Sequence, residues 1–147
     1  MEKITVIIMT VLAMMGSALA QKQPQGVTYD TQILRVSDGD TIVISARFLP
    51  QPLKPELAVR IYGVDTPEKG HRAQCPSEAQ RGEQASAWTK ALVASGTKFQ
   101  VTLYAWDKFG GRVLGDILVD GRSVRQGLIQ AGLAREYYGD AKQSWCN

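Results

Sequence analysis

The sequence predicts a mainly β fold with helices, in the α+β class. Three features point to it. Short alternating or β-branched runs recur along the chain, clusters of Gly, Pro, Asp and Ser separate them, and two stretches carry helical periodicity behind capping signals. The 147 residues suit a single domain.

Residues 21–31 are polar, contain Pro24 and Gly26, and read as a flexible lead-in to a domain spanning 32–147. Residues 33–36 read as a short strand, closed by the turn chemistry of Ser37-Asp38-Gly39-Asp40. Residues 41–47 alternate and are rich in β-branched side chains, which predicts a second strand. Pro50, Pro52 and Pro55 exclude a ladder interior, so 49–56 is a loop. Residues 57–64 form the third strand, ended by Thr66-Pro67. Ser77 and Gln80 fit a capping box, with Ser77 as N-cap and a helix running to about Ser95. Ala85, Trp88 and Leu92 recur on one face of that helix and should meet the core; Gly96 stops it. Residues 98–104 alternate as a fourth strand, and 112–119 as a fifth before the Asp120-Gly121 turn. Ser123 and Gln126 form a second capping box, Val124, Leu128 and Ala131 make that helix's inner stripe, and Gly132 ends it. Five strands with a helix between the third and fourth, and a C-terminal helix, suggest a small five-stranded barrel of the OB type.

Residues 1–20 have the form of an export signal. Lys3 precedes an apolar run interrupted only by threonines, and Ala18-Leu19-Ala20 supplies small residues for cleavage. The run is about a dozen residues long, short of the roughly 20 that a membrane-spanning helix needs. A chain beginning at Gln21 is expected to be secreted or periplasmic, monomeric, and without stable membrane association. Export puts Cys75 and Cys146 in an oxidising space, where an even count suggests a disulfide. No CxxC spacing indicates a zinc site. The net charge of +3 and pI near 8.9 suit a polyanionic partner without establishing one. His71 is the single histidine, which excludes nucleases that rely on paired histidines.

Three segments carry groups suited to cutting a phosphodiester. That chemistry needs a cation to neutralise phosphate, a base for the attacking water, and positive groups for the charge that builds on phosphorus. Asp38-Gly39-Asp40-Thr41 sets two carboxylates around a glycine, able to aim oxygens at one hard cation; alone it also reads as a plain turn. Arg60 to Glu68 holds a guanidinium, the carboxylates of Asp65 and Glu68, and the backbone-fixing Pro67. Strand parity would send Arg60 and Asp65 to opposite faces, so the strand must break or bulge before Asp65, and Gly63 offers the place. Asp107-Lys108-Phe109-Gly110-Gly111-Arg112 is a glycine loop with two cations and a ring, and Arg112 at a strand entrance suits bidentate phosphate binding. The loop around His71 could bring Lys69 and Arg72 over a site, although loop charges are usually just solvated.

Taken together and in order, Val36-Ser37-Asp38-Gly39-Asp40-Thr41, Arg60 with Asp65-Thr66-Pro67-Glu68, and Asp107 to Arg112 resemble the signature of the thermonuclease (staphylococcal nuclease) family, over about residues 33–138. The resemblance implies calcium-dependent hydrolysis of DNA and RNA with little sequence specificity, by metal-assisted attack of water. It implies calcium ligands at Asp40, Asp65 and the Thr66 carbonyl, with Asp38 in the outer shell of the metal. All are oxygen donors, as a hard cation requires. Glu68 matches the glutamate that orients or deprotonates water. Arg60 and Arg112 match the arginines on the phosphate and near the leaving oxygen. Lys108 matches a terminal-phosphate contact. Tyr137 and Tyr138 fall near base-stacking tyrosines, with the exact match open.

Three departures stand out. Gly110-Gly111 has one more glycine than the best-known member, Phe109 replaces a tyrosine, and the chain stops at Asn147, short of a long C-terminal helix. A Cys75–Cys146 bridge would tie the tail instead. Trp106 and Trp145 carry no assignment. The alternative to an enzyme is a noncatalytic OB-fold module that binds nucleic acid or protein. Against it, carboxylates beside a phosphate site weaken polyanion binding and serve a pure binder poorly.

Overall fold

The computed structural model describes residues 24–146. The expected export signal, 1–20, lies outside the described residues. Within them the chain forms strands β1 (Val27–Thr31), β2 (Ile33–Asp38), β3 (Thr41–Ser45), β4 (Glu56–Ile61) and β5 (Val64–Asp65), a 3₁₀ turn (Gly70–Arg72), and helix α1 (Pro76–Ala94). Then come β6 (Phe99–Trp106), β7 (Val113–Val119), β8 (Arg122–Ser123), helix α2 (Val124–Gln130) and β9 (Arg135–Glu136). Among the described residues no helix is long and apolar enough to cross a membrane.

The main sheet runs in the order β1-β6-β7-β4-β3-β2, antiparallel throughout except for the parallel β4–β7 pair, with β8 added to β7. The first and last strands of that order, β1 and β2, are separated in the chain only by Gln32. They do not pair with each other, so the ladder is open there, and the continuous chain links its two ends. Counted as one interrupted strand, β1–β2 joins β3, β4, β6 and β7 to give the expected five. Helix α1 falls between β4 and β6 as expected, and the proline loop separates β3 from β4. The core is β-branched and aliphatic: Ile42, Ile44, Val59, Ile61, Val101, Ile117 and Val119, capped by Val124 and Leu128 of α2. Strand β7 shows the predicted alternation in full, buried at Val113, Gly115, Ile117 and Val119 and half-buried between.

Three local expectations need correction. Val27–Thr31, read as part of a flexible lead, is edge strand β1 on β6. Tyr29 stacks on Phe48 with ring centroids 4.1 Å apart, and the Thr31 hydroxyl donates to the Ser45 carbonyl at 2.7 Å. A polar edge strand with one inward aromatic leaves little periodicity to detect. The second correction concerns α1, which starts at Pro76 with Cys75 as N-cap rather than at Ser77. Proline's fixed φ suits the first helical position, and that decides the register. The deepest face of α1 is also small and polar rather than apolar: Glu78, Gly82, Ala85, Ser86 and Thr89 are buried, while Trp88 and Leu92 pack at the core's margin. Third, Ala131 is the exposed C-cap of α2, not part of its inner stripe. Ser123 does cap α2, accepting from the Gln126 N–H at 3.2 Å.

A disulfide joins Cys75 to Cys146, 71 residues apart. Closing a loop of that length in the unfolded chain is worth about 4 kcal/mol by the chain-entropy account. The double variant Cys75→Ser, Cys146→Ser is expected to lose about that much, read as the difference in urea unfolding free energy from the oxidised protein. A loss below about 1 kcal/mol would contradict it.

Candidate active site

The turn after β2 is fixed from two sides. Thr89 of α1 donates to the Gly39 carbonyl at 2.8 Å, and the Ile61 N–H donates to the Asp40 carbonyl at 2.8 Å. A Cβ on Gly39 would lie 2.8 Å from Ala85 Cβ, so glycine and the small helix face permit the approach. Asp40 is thereby sunk to 8% exposure at the start of β3. Register does the rest. Thr41 pairs with Arg60 across β3–β4, which brings Arg60 Nη2 to 3.5 Å from Asp40 Oδ2. The Thr41 hydroxyl donates to Asp40 Oδ1 at 3.1 Å.

The parity conflict between Arg60 and Asp65 is resolved where the sequence suggests. β4 ends at Ile61, and Gly63 turns the chain at φ 77°. Val64 and Asp65 then pair with Glu136 and Arg135 in a separate two-stranded sheet. Asp65 is 5% exposed. Trp145 Nε1–H donates to Asp65 Oδ2 at 3.0 Å. The other oxygen, Oδ1, is buried and takes no hydrogen bond among the described residues. The Lys142 ammonium is 2.6 Å from it, close but poorly aligned for a hydrogen bond.

Glu68 follows on a loop held by another glutamate. Glu78, buried at the start of α1, accepts the Glu68 N–H at 3.2 Å on one oxygen and the Gln74 N–H at 2.7 Å on the other. Gly82, one turn on, lets the Pro67–Glu68 backbone lie directly on the helix; a Cβ there would collide with the Glu68 carbonyl. The Glu68 carboxylate itself stays accessible, 3.4 Å from Arg72 Nε. Arg72 also donates to Asp38 at 2.8 Å, and Lys69 reaches Asp38 at 3.4 Å. Burial alone pushes the Asp38 carboxyl up, but the Arg72 hydrogen bond and charge, with Lys69, outweigh it and hold Asp38 below the usual carboxylate range. The stability this pinning gives is present above the unfolded carboxylate pKa and lost as pH falls through the lower folded value.

The third segment is the β6–β7 hairpin tip. Gly110 and Gly111 take φ of 70° and 68°, and Asp107 N–H donates to the Arg112 carbonyl at 2.9 Å. The buried Asp107 carboxylate then holds Arg112 Nη2 at 2.6 Å. The extra glycine therefore leaves Arg112 anchored. Phe109 is largely exposed at the tip, with the Lys108 ammonium 5.1 Å from its ring centre.

These segments meet at one concavity of about 230 Å³. Asp38, Asp40, Arg60, Thr66, Glu68, Lys108, Phe109, Arg112 and Tyr137 all line it, joined by Lys69, Arg72 and Lys142. Asp65 opens instead onto an adjoining concavity that shares Thr66, Glu68, Arg72 and Lys142. Tyr138 lines a third, aromatic one with Arg60, Lys108, Tyr137 and Trp106. Its hydroxyl is bonded by Arg125 and its ring meets Tyr62 edge-on at 5.7 Å, so it is more firmly packed than the sequence implied. His71 is exposed and outside all three. In the main concavity the carboxylates of Asp38, Asp40 and Glu68 face six cationic side chains: Arg60, Lys69, Arg72, Lys108, Arg112 and Lys142. Buried carboxylate oxygens at Asp40 and Asp65, one of them unbonded, suit a hard, oxygen-seeking cation.

The family model described as staphylococcal nuclease homologue matches residues 58–145. The chain belongs to that family. Its similarity to endonuclease YncB of Bacillus subtilis is 38% identity over 120 residues, 80% of this chain and 51% of the relative. To the SPbeta prophage-derived endonuclease YokF of the same organism it is 36% over 111 residues, 74% of this chain and 34% of the relative. A protein of Escherichia coli named an uncharacterized endonuclease is 31% identical over 107 residues, covering 72% of this chain and 60% of that protein. The chain thus spans between a third and three fifths of the length of these relatives.

Sequence reasoning missed four residues that hold the family motifs in place. Asp107 sits in the quoted motif but received no role. Glu78 lies in the first turn of α1, where an acidic residue is ordinary. Lys142 and Trp145 lie 77 and 80 residues from Asp65 in sequence, and only the neighbouring Cys146 hinted that the tail returns to the site. Gly82→Ala tests the helix contact. The added methyl must displace the Glu68 backbone, and the expected loss is about 1–3 kcal/mol in urea unfolding. An unchanged midpoint would show that the loop does not rest on the helix.

Proposed function

We propose that this chain is a calcium-dependent nuclease that hydrolyses phosphodiester bonds of DNA and RNA with little sequence specificity. The observation that carries the reading is the convergence of Asp40, Arg60, Glu68 and Arg112, from three distant segments, on one concavity rich in cationic groups. Asp40, Asp65 and the Thr66 carbonyl would hold the calcium, with Asp38 behind them. When bound, the ion supplies charge neutralisation at phosphate and a site for water. Glu68 is accessible enough to meet a water and take its proton as the oxygen attacks phosphorus. Arg60 and Arg112, each aimed by a carboxylate, stabilise the equatorial and departing oxygens. Lys108 would hold a terminal phosphate, while Phe109, Tyr137 and Tyr138 would offer rings to bases without reading their sequence. Export through residues 1–20, to a periplasm or beyond the cell, and action as a monomer belong to the same proposal. The disulfide supports an oxidising destination.

Incubating the purified mature protein with plasmid and with RNA, with and without calcium, tests the reading. Cleavage of both that stops with a calcium chelator is expected; cleavage unaffected by the chelator would sink the calcium assignment. Glu68→Gln should slow turnover by roughly 10²–10⁴-fold, and Arg112→Ala by roughly 10²–10³-fold, with circular dichroism unchanged. Near-normal rates in either variant would refute its role. Lys142→Met should tighten calcium binding by calorimetry, since it removes an ammonium that competes for Asp65 Oδ1.

A further inference from the structure

The segment after β9, through Cys146, has no helix or strand, yet Trp145 within it is 7% exposed. Several contacts hold it. The Arg135 guanidinium lies 3.8 Å from the Trp145 ring centre, Arg135 Nη1 donates to the Ser144 carbonyl at 3.0 Å, and Arg81 donates to the Trp145 carbonyl at 3.4 Å. Arg135 is itself the β9 partner of Asp65. The next residue, Cys146, is bonded to Cys75, the N-cap of α1.

The indole N–H is a donor with no acceptor capacity, so its buried bond to Asp65 Oδ2 is one-directional. A carboxylate can turn about its own bond, and the fixed donor on Oδ2 restrains that rotation and thus the direction of Oδ1, which also has the Lys142 ammonium 2.6 Å away. Among the described residues Oδ1 has that ion pair and no aligned hydrogen bond. Partners that orient a ligand in this way tune metal affinity.

We propose that Trp145 is a positioning residue for the Asp65 carboxylate, and that the Cys75–Cys146 bridge keeps it there, so that the cation affinity of the site follows the oxidation state of the bridge. The inference rests on the reading of Asp65 as a metal ligand. Reduction needs a dithiol: it gives two electrons and two protons to the bridge, leaving thiols at Cys75 and Cys146 and its own sulfurs joined as a disulfide. The irregular tail then has no covalent anchor, and ordering it costs conformational entropy that the bridge had removed.

The test uses the mature protein and two readings. The first is hydrogen exchange of the ¹⁵N-labelled Trp145 indole in metal-free wild type, with Trp88 and Trp106 as internal references. Slow exchange is expected when the bridge is oxidised. Exchange as fast as that of the exposed Trp106 is expected after dithiol reduction and in Asp65→Ala. The second is calcium titration by calorimetry. Trp145→Phe keeps an aromatic ring for Arg135 and removes the N–H donor together with the five-membered ring; it should weaken calcium binding by roughly 10–100-fold. Reduction should weaken wild type similarly and add little to the variant. Wild-type affinity in Trp145→Phe, with or without a lowered melting temperature, overturns the proposal, as does fast indole exchange in the oxidised protein. Wild type that takes up no calcium overturns the calcium reading and the affinity claim built on it, and the exchange measurement, which needs neither metal nor the Phe variant, then decides whether the bridge holds Trp145 on Asp65.

Discussion

Two buried carboxylates, Asp40 and Asp65, set the terms for the rest of the site. Removing an ionised carboxylate from water costs several kcal/mol unless charge and hydrogen bonds replace the lost hydration. For Asp40 the replacements are Arg60 and Thr41; for Asp65 they are Trp145 and Lys142. Thr41 is Asp40's neighbour in sequence, but Arg60 comes from β4, and Lys142 and Trp145 come from the C-terminal segment, so meeting the electrostatic demand draws β3, β4, β5 and that segment together. The cover of Asp65 is partly ionic, because among the described residues one of its buried oxygens has an ammonium 2.6 Å away and no aligned hydrogen bond. A fold built for stability alone would favour apolar residues here. Keeping a buried acid whose second oxygen is met only by an ion pair makes sense where a cation is to be admitted.

What the sequence disclosed was local. Motif residues and charges are readable from spacing, and so are strand alternation in β7 and the cap at Ser123. The break at Gly63 was legible because Arg60 and Asp65 are five residues apart, an odd spacing that one unbroken strand would send to opposite faces. The supports of the motifs were not local. Trp145 and Asp65 are 80 residues apart, and Glu78 acts on the backbone of Glu68 across a loop. A carboxylate that accepts main-chain N–H groups leaves no periodic trace. Edge strand β1 was hidden for a related reason: its polar residues face solvent, and only its partner β6 shows that it belongs to the sheet.

Helix α1 shows how a misread face can matter more than the core prediction. Apolar spacing pointed to Ala85, Trp88 and Leu92, and those residues do pack on or near the core. The side that carries Glu78, Gly82, Ala85, Ser86 and Thr89 instead touches the Asp38–Asp40 turn and the Glu68 loop. Small residues bring the backbones close, and polar ones take up the N–H and carbonyl groups that strand geometry leaves unpaired in those turns. The helix therefore serves as the common floor under two of the three motif segments. Its first turn is in turn fastened through Cys75 to the tail that reaches Asp65.

The pairing of cations with acids bears on whether the concavity favours holding or reacting. Arg60 lies by Asp40, Lys69 and Arg72 by Asp38, Arg112 by Asp107, and Lys142 by Asp65. Each acid lowers the attraction its partner exerts on a resting polyanion, since part of the positive charge is already matched. Each also fixes the direction of a long, flexible side chain before substrate arrives. Prior orientation favours the state in which charge is greatest and geometry most demanding, which is the transition state rather than the bound polymer. A surface meant only to grip nucleic acid gains from unpaired, mobile cations; one meant to cut and let go gains from cations already aimed.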